Sequence, residues 1–302
     1  MSDSDVLENT PKLKIFALVA DSYRAVFGNL GVMVRILWLP MALMGVVNFR
    51  FQDQHFEDLN AVLKAQNDSA AVQAQLDVAS DPMFIIYWLV SWVVMVAAFV
   101  SLHRFVLLGD NPPSLGFTVH KREWRYLGYL AAIVVTITLA MIVPIIGLTI
   151  FEMTIEAVFG TTGGMVGILI FAAFVTLLVC SVTLYIRLGF VLPAIALDHG
   201  GGLGRRFKHA WALAKGNTFR MFVALIVASL PFLLIFGIWS YQFMQSVAEA
   251  MATGTAFPAP NMVVVIVVFG GMSWLSYALI ITTYSLAYRT LELASVEQQV
   301  EA

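Results

Sequence analysis

The residues best placed to do chemistry lie in one stretch, 198–222, which reads DHGGGLGRRFKHAWALAKGNTFRMF. Leu203, Phe207, Ala210, Trp211 and Ala214 recur there at helical spacing, while Arg205, Arg206, Lys208, His209 and Lys215 fall mostly elsewhere on the wheel. That pattern predicts a helix lying in the headgroup layer of a membrane, Phe207 and Trp211 turned toward hydrocarbon and the cations toward water. Gly216 is expected to end it, Asn217 and Thr218 to start the next helix, and Arg220 to anchor a new span at the interface. A second basic cluster, Lys121, Arg122 and Arg125, precedes another apolar run. The chemistry both clusters offer is attraction of anionic lipid headgroups or of a cytoplasmic protein partner. The same charges also serve as ordinary topogenic charges, and the two uses are compatible.

Other chemistries find less support. Gly200, Gly201, Gly202 and Gly204 resemble a phosphate loop only in composition, because no Rossmann strand precedes them and no GK[ST] follows. They read as a flexible linker. The five histidines, His55, His103, His120, His199 and His209, lack metal-site spacing, and Asp198, His199 and His209 form a faint ligand set. Glu152 and Glu156, one helical turn apart, read as carboxylates at the water boundary. Cys180 is the one cysteine, so there is no disulfide framework. With no GxSxG elbow and no paired acid and base beside a histidine, no catalytic residue, cofactor or metal is expected. Nucleic acid is not an expected partner.

The elements that must position the cations follow from composition. A chain of 302 residues that is 60% hydrophobic and 12% charged has too few charges for an aqueous surface. Six apolar runs, at 30–48, 82–108, 127–151, 164–192, 220–243 and 262–291, each approach the ~20 residues needed to cross a bilayer. The predicted class is an all-α integral membrane protein with six transmembrane helices, in three helical hairpins with cytoplasmic amphipathic interfacial helices. Its parts are an N-terminus with an interfacial helix (1–29), a six-span domain (30–291) and a tail (292–302). Within the domain, 49–81 is the outer loop and 109–126 and 193–219 are cytoplasmic connectors.

Orientation follows from charge. With both termini cytoplasmic, the outer loops keep only Arg50 and Lys64, and the other 15 of the 17 Lys and Arg face inward. The outer loops then carry net charge −7 and the inside +5. The acidic N-terminus lacks the basic region of a cleaved signal and is expected to remain. The outer loop reads as a solvated connector with one or two short helices, Asp81 capping the second span at Pro82. The spans hold essentially no Asp, Glu, Lys or His between the interfaces, which disfavours ion-coupled transport. Small residues in the sixth, Gly270, Gly271, Ser273 and Ser276, suit helix packing.

A weak repeat organises these parts. Each unit has a basic segment (11–27, 113–126, 203–217), a span with one proline (Pro40, Pro144, Pro231) and a return span ending in arginine (Arg104, Arg187, Arg289). The prolines are expected to free one carbonyl each and kink their helices.

The string RLGFVLPAIALDHGGGLGRRFKHAWALAKGNTFRMFVALIV resembles the membrane domain that accompanies some glycerophosphodiester phosphodiesterases, and related stand-alone six-span bacterial proteins. Arg187, Phe190, Pro193, Asp198, Trp211, Leu213, Gly216 and Phe219 carry the match, over about forty residues. The resemblance implies a six-span fold in a bacterial inner membrane. The sequence ends about ten residues beyond the last predicted span, without the phosphodiesterase barrel, so no catalytic residue is carried over. The expected role is non-catalytic: membrane organisation, assembly or partner binding through the basic helices. The alternative is a lipid or small-molecule transporter or channel lined by Ser, Thr and Tyr; a lipid-modifying enzyme is the third reading.

Overall fold

A computed structural model describes residues 12–65, 82–112, 118–159, 164–198, 203–253 and 270–301. All regular structure among these residues is helical. The helices are α1 (Ile15–Phe27), α2 (Leu30–Ala65), α3 (Pro82–Leu108), α4 (Lys121–Phe159), α5 (Gly164–Gly189), α6 (Val191–Ala196), α7 (Leu203–Ala214), α8 (Thr218–Thr253) and α9 (Met272–Glu301). Helices dominate because an apolar solvent offers no partner for a free peptide group, and a helix bonds its own.

Four helical stretches are long and apolar enough to cross a membrane: Ile85–Leu108, Lys121–Phe151, Phe171–Ala196 and Thr218–Ala250. A fifth arises if α1 and Leu30–Val46, bent by 80° at their junction, count as one span. Residues 262–269, the start of the expected sixth span, lie outside the described residues. The apolar character is on the outside: on α4, Val135, Leu139, Ile146 and Ile150 are all exposed. A helix apolar on every side belongs in lipid or in a core, and this one has no core around most of its length.

Several helices run past the expected boundaries. α2 continues to Ala65, so 49–65 extend the first helix instead of opening a loop of short ones. That segment contains neither glycine nor proline to stop it. Asp81 lies outside the described residues, as do the side chains of Arg50 and Lys64. α4 starts at Lys121, so Lys121, Arg122 and Arg125 sit on its first turns and not on a separate interfacial helix. Glu123, three residues into that helix, accepts the His120 amide at 2.8 Å and fixes the start. α1 ends at Gly28, whose amide donates to the Arg24 carbonyl at 2.9 Å; a Cβ there would stand 2.7 Å from that carbonyl oxygen, so the turn requires glycine.

The chain forms two compact units. One comprises Phe16–Val119 and Ala224–Leu286. In it α2 packs on α3, burying Met33, Ile36 and Leu37 along one stripe and Val96, Val100 and Leu102 on the other. A polar seam crosses this apolar core. Ser285 Oγ donates to the Ile281 carbonyl at 2.8 Å and so accepts from His103 Nδ1 at 2.7 Å. Thr283 Oγ1 lies 3.0 Å from Ser22 Oγ, and all four residues are buried. His103 lies near the end of a helix able to span, beside Arg104, and the Ser285 hydroxyl makes its burial tolerable. Pro231 leaves the Val227 carbonyl without its intrahelical donor, and the Tyr23 hydroxyl donates to the adjoining Ala228 carbonyl at 2.8 Å. Pro40 and Pro144 are likewise inside helices. Arg104 closes α3 on Asp110, at 2.5 Å.

The other unit comprises Met1–Ile15, His120–Val223 and Ala287–Ala302. Here α4 packs on α5 and α6, and α7 packs on α5 and α6. Its centre is Tyr126, Ile186, Phe190, Ile195, Leu213 and Tyr288, all essentially without solvent exposure.

Ser285→Ala leaves Nδ1–H of the buried His103 without its 2.7 Å partner. The expected loss is about 1–3 kcal/mol, whereas Thr283→Val, which leaves Ser22 bonded to the Leu18 carbonyl, is nearly neutral. Thermal unfolding of both variants in nanodiscs checks this; equal effects contradict it.

Candidate functional site

The basic stretch and the helix ends around it form the most chemically dense region. α5 breaks at Phe190 and resumes as α6, whose last turn closes with the Leu197 amide on the Pro193 carbonyl (3.1 Å) and the Asp198 amide on the Ile195 carbonyl (3.1 Å). Asp198 sits at φ 51°, a left-handed conformation that aspartate tolerates better than most residues. This turn points its carboxylate at α4, 3.7 Å from both Arg122 and Arg125. Arg122 also meets Glu123 at 2.8 Å. These two arginines, expected to face headgroups, are thus engaged within the protein. The long, half-exposed contacts to Asp198 contribute less than about 1 kcal/mol each.

Arg187 and Arg220 are also held internally. The Arg187 guanidinium lies over the Trp211 ring, 4.9 Å from its centroid, and Nε donates to Thr218 Oγ1 at 3.1 Å. One side chain thereby joins the end of α5, the face of α7 and the start of α8. Arg220 Nη1 donates to the Leu13 carbonyl at 2.9 Å, and the buried Asn217 Oδ1 accepts the Leu13 amide at 2.8 Å. Asn217 precedes α8 as the sequence predicts, and its side chain clamps the N-terminal segment. Gly216, at φ 79°, makes the turn from α7 that brings it there.

α7 spans Leu203–Ala214, close to the expected limits. Its apolar side is committed to protein: Ala210, Leu213 and Ala214 are buried. Phe207 and Trp211 stack with centroids 5.8 Å apart and wall a groove of about 260 Å³ between α4, α5, α6 and α7. Phe207 keeps 39% exposure, and Trp211 is half-buried beneath the Arg187 guanidinium. Its other side is cationic. Arg205, Lys208 and Lys215 are exposed, as is Lys121 at the head of α4, and none has an acidic partner among the described residues. Arg289 is exposed as well. Arg206 is different: its Nε is buried and has no acceptor among the described residues.

Three contributors were not legible as a site in the sequence. Glu292 accepts from His209 Nε2 at 2.8 Å, tying α7 to the C-terminal helix, and Tyr288 lies beside that carboxylate. Asn217 gave no signal beyond its capping propensity. Of the faint ligand set, Asp198 and His209 are committed to separate partners, and His199 lies outside the described residues with Gly200–202 and the side chains of Glu152 and Glu156. Among the described residues no three His, Cys, Asp or Glu group to hold an ion.

The hydrogen bond to Glu292, aided by its charge and opposed by burial, raises the His209 pKa above the ordinary value. A raised folded pKa means that this tie stabilises fully below the unfolded value of about 6.5 and is lost as pH rises through the folded one. Docking of α7 on the C-terminal helix should tighten as pH falls from about 8 to about 6. Hydrogen exchange of α7 amides at the two pH values checks this: protection greater at the lower pH in wild type, with the difference abolished by Glu292→Gln. An unchanged difference in that variant contradicts it.

No family model matches the chain, and no curated protein or solved structure matches it.

Proposed function

We propose that this chain is a non-catalytic, six-span inner-membrane protein of bacterial type. In this reading the cytoplasmic basic helix α7 engages anionic lipid, and the protein serves membrane organisation or assembly, alone or with a membrane-protein partner. The observation that carries it is the state of α7. That helix joins a stretch able to span, ending at Ala196, to another beginning at Thr218, which puts a short polar connector at a membrane surface. It is locked there by Ala210, Leu213 and the Arg187–Trp211 stack, and still presents Arg205, Lys208 and Lys215 to solvent. A rigid helix that keeps cations unpaired offers them to an external anion.

The finer topology belongs to this proposal. Three hairpins, cytoplasmic termini and interfacial α1 are supported by the positive-inside charge distribution and by the 80° turn between α1 and α2. Packing of α2 on α3 and of α4 on α5 suits the first two hairpins. The sequence resemblance to the membrane domain of some glycerophosphodiester phosphodiesterases supports the same layout, with Arg187, Asp198, Trp211 and Gly216 in structural roles. A second reading, a transporter or channel for lipid or small molecules, draws on a cavity of about 310 Å³ between α8 and α9. Ser229, Ser273 and Ser276 line it near Pro231, so the small residues expected to pack helices border open space there.

The test is lipid selection by intact protein in nanodiscs of mixed phosphatidylglycerol and phosphatidylcholine. Three surface cations at about 1 kcal/mol each predict enrichment of the anionic lipid by wild type, and loss of most of it by the triple variant Arg205→Gln, Lys208→Gln, Lys215→Gln. Equal enrichment by both proteins would reduce these charges to topogenic ones.

A further inference from the structure

We infer that one acyl chain of an anionic glycerophospholipid occupies the groove between α4, α5, α6 and α7, with its phosphate held by Arg206. The site deepens the reading of α7 as a lipid-facing element and rests on it for its position at the membrane surface.

The groove is apolar over most of its wall, with Ile133, Leu188, Phe207 and Trp211 facing Thr136 and the ring of Tyr129. At about 260 Å³ it falls just below the ~300–1,000 Å³ of pockets that enclose whole small ligands, which suits a segment of chain and not an entire lipid. Ala132 and Thr136 on its wall are exposed, so the groove is open to whatever surrounds α4. That surrounding is hydrocarbon wherever α4 spans, since Val134, Val135 and Leu139 beside it are exposed too. A void walled by aromatic and aliphatic side chains and open to lipid fills with a chain more readily than with water.

Arg206 supplies the second half of the argument. Arg206 directly precedes Phe207 of the groove wall, and its charge acts on the phenols of Tyr129, which lines the groove, and of Tyr288 on the C-terminal helix. The nearby carboxylate, Glu292, is engaged by His209 at 2.8 Å and by Tyr288. The buried Nε–H therefore has no acceptor among the described residues, and a buried charged donor is costly to leave unmatched. A phosphate oxygen matches it, because guanidinium donors fit phosphate in a planar fork. An apolar chain slot near an unsatisfied arginine Nε–H is the complement of an anionic lipid, headgroup and tail together.

Full-length protein in nanodiscs containing equal phosphatidylglycerol and phosphatidylcholine is released into detergent, and the lipids retained are counted by native mass spectrometry. Wild type is expected to retain one lipid, with phosphatidylglycerol preferred. Arg206→Gln should lower that preference about fivefold or more, the worth of one cation beside an anionic headgroup. Ala132→Trp, which fills the groove from an exposed position, should abolish retention of either lipid. Arg24→Gln, at an exposed cation already paired with Asp21 and distant from the groove in sequence, should leave retention unchanged. Unaltered preference in Arg206→Gln, or a lipid still held by Ala132→Trp, overturns the proposal. If the triple surface variant loses enrichment while Arg206→Gln does not, the basic-surface reading stands and this site falls; the opposite pattern removes the surface reading and keeps the site.

Discussion

A peptide group in hydrocarbon must find its partner within the protein, and the architecture follows from that constraint. It explains why the described residues are helical and why α2 and α8 run to 36 residues and α4 to 39 without a break. Where proline interrupts the ladder in α8, a tyrosine from α1 reaches the loosened carbonyls. Where the chain turns from α7 into α8, polar side chains take over. Asn217 and Arg220 between them satisfy both backbone groups of Leu13.

The same logic sorts the cations. An arginine close to a helix end either finds an internal acceptor or stays in water. Arg187, Arg220, Arg122, Arg125 and Arg104 take the first course, each meeting a carbonyl, a hydroxyl, a carboxylate or a ring face. Arg205, Lys208 and Lys215 take the second. A charge count by side of the membrane treats these groups alike, although the first is already engaged within the protein.

Much of this was legible in the sequence. Apolar runs of span length located the four helical stretches that are long and apolar enough to cross a membrane, because a run of that length has few other uses. Gly216 marked a helix end correctly, since the backbone there needs a positive φ. The amphipathic period of α7 gave its limits to within a residue or two. What periodicity could not say was what covers the apolar face, and here protein does, through Ala210 and Leu213. Nor could it tell that His103 would be buried against Ser285, that His209 would meet Glu292, or that Asp198 would claim Arg122 and Arg125. Those pairs are separated by dozens of residues or more, and only the packing of helices brings them together. The helix extension through 49–65 was missed because polar residues were read as loop, although none of them breaks a helix.

The central claim is that α7 lies on the cytoplasmic face, opposite the acidic segment that follows the first predicted span. Single cysteines introduced as Lys208→Cys and Asn67→Cys in a Cys180→Ser background, then challenged with a membrane-impermeant maleimide, test it directly. The account predicts that position 67 is labelled in spheroplasts with intact inner membranes, and position 208 only after permeabilisation. Labelling of position 208 in intact spheroplasts, or of both positions alike, contradicts it.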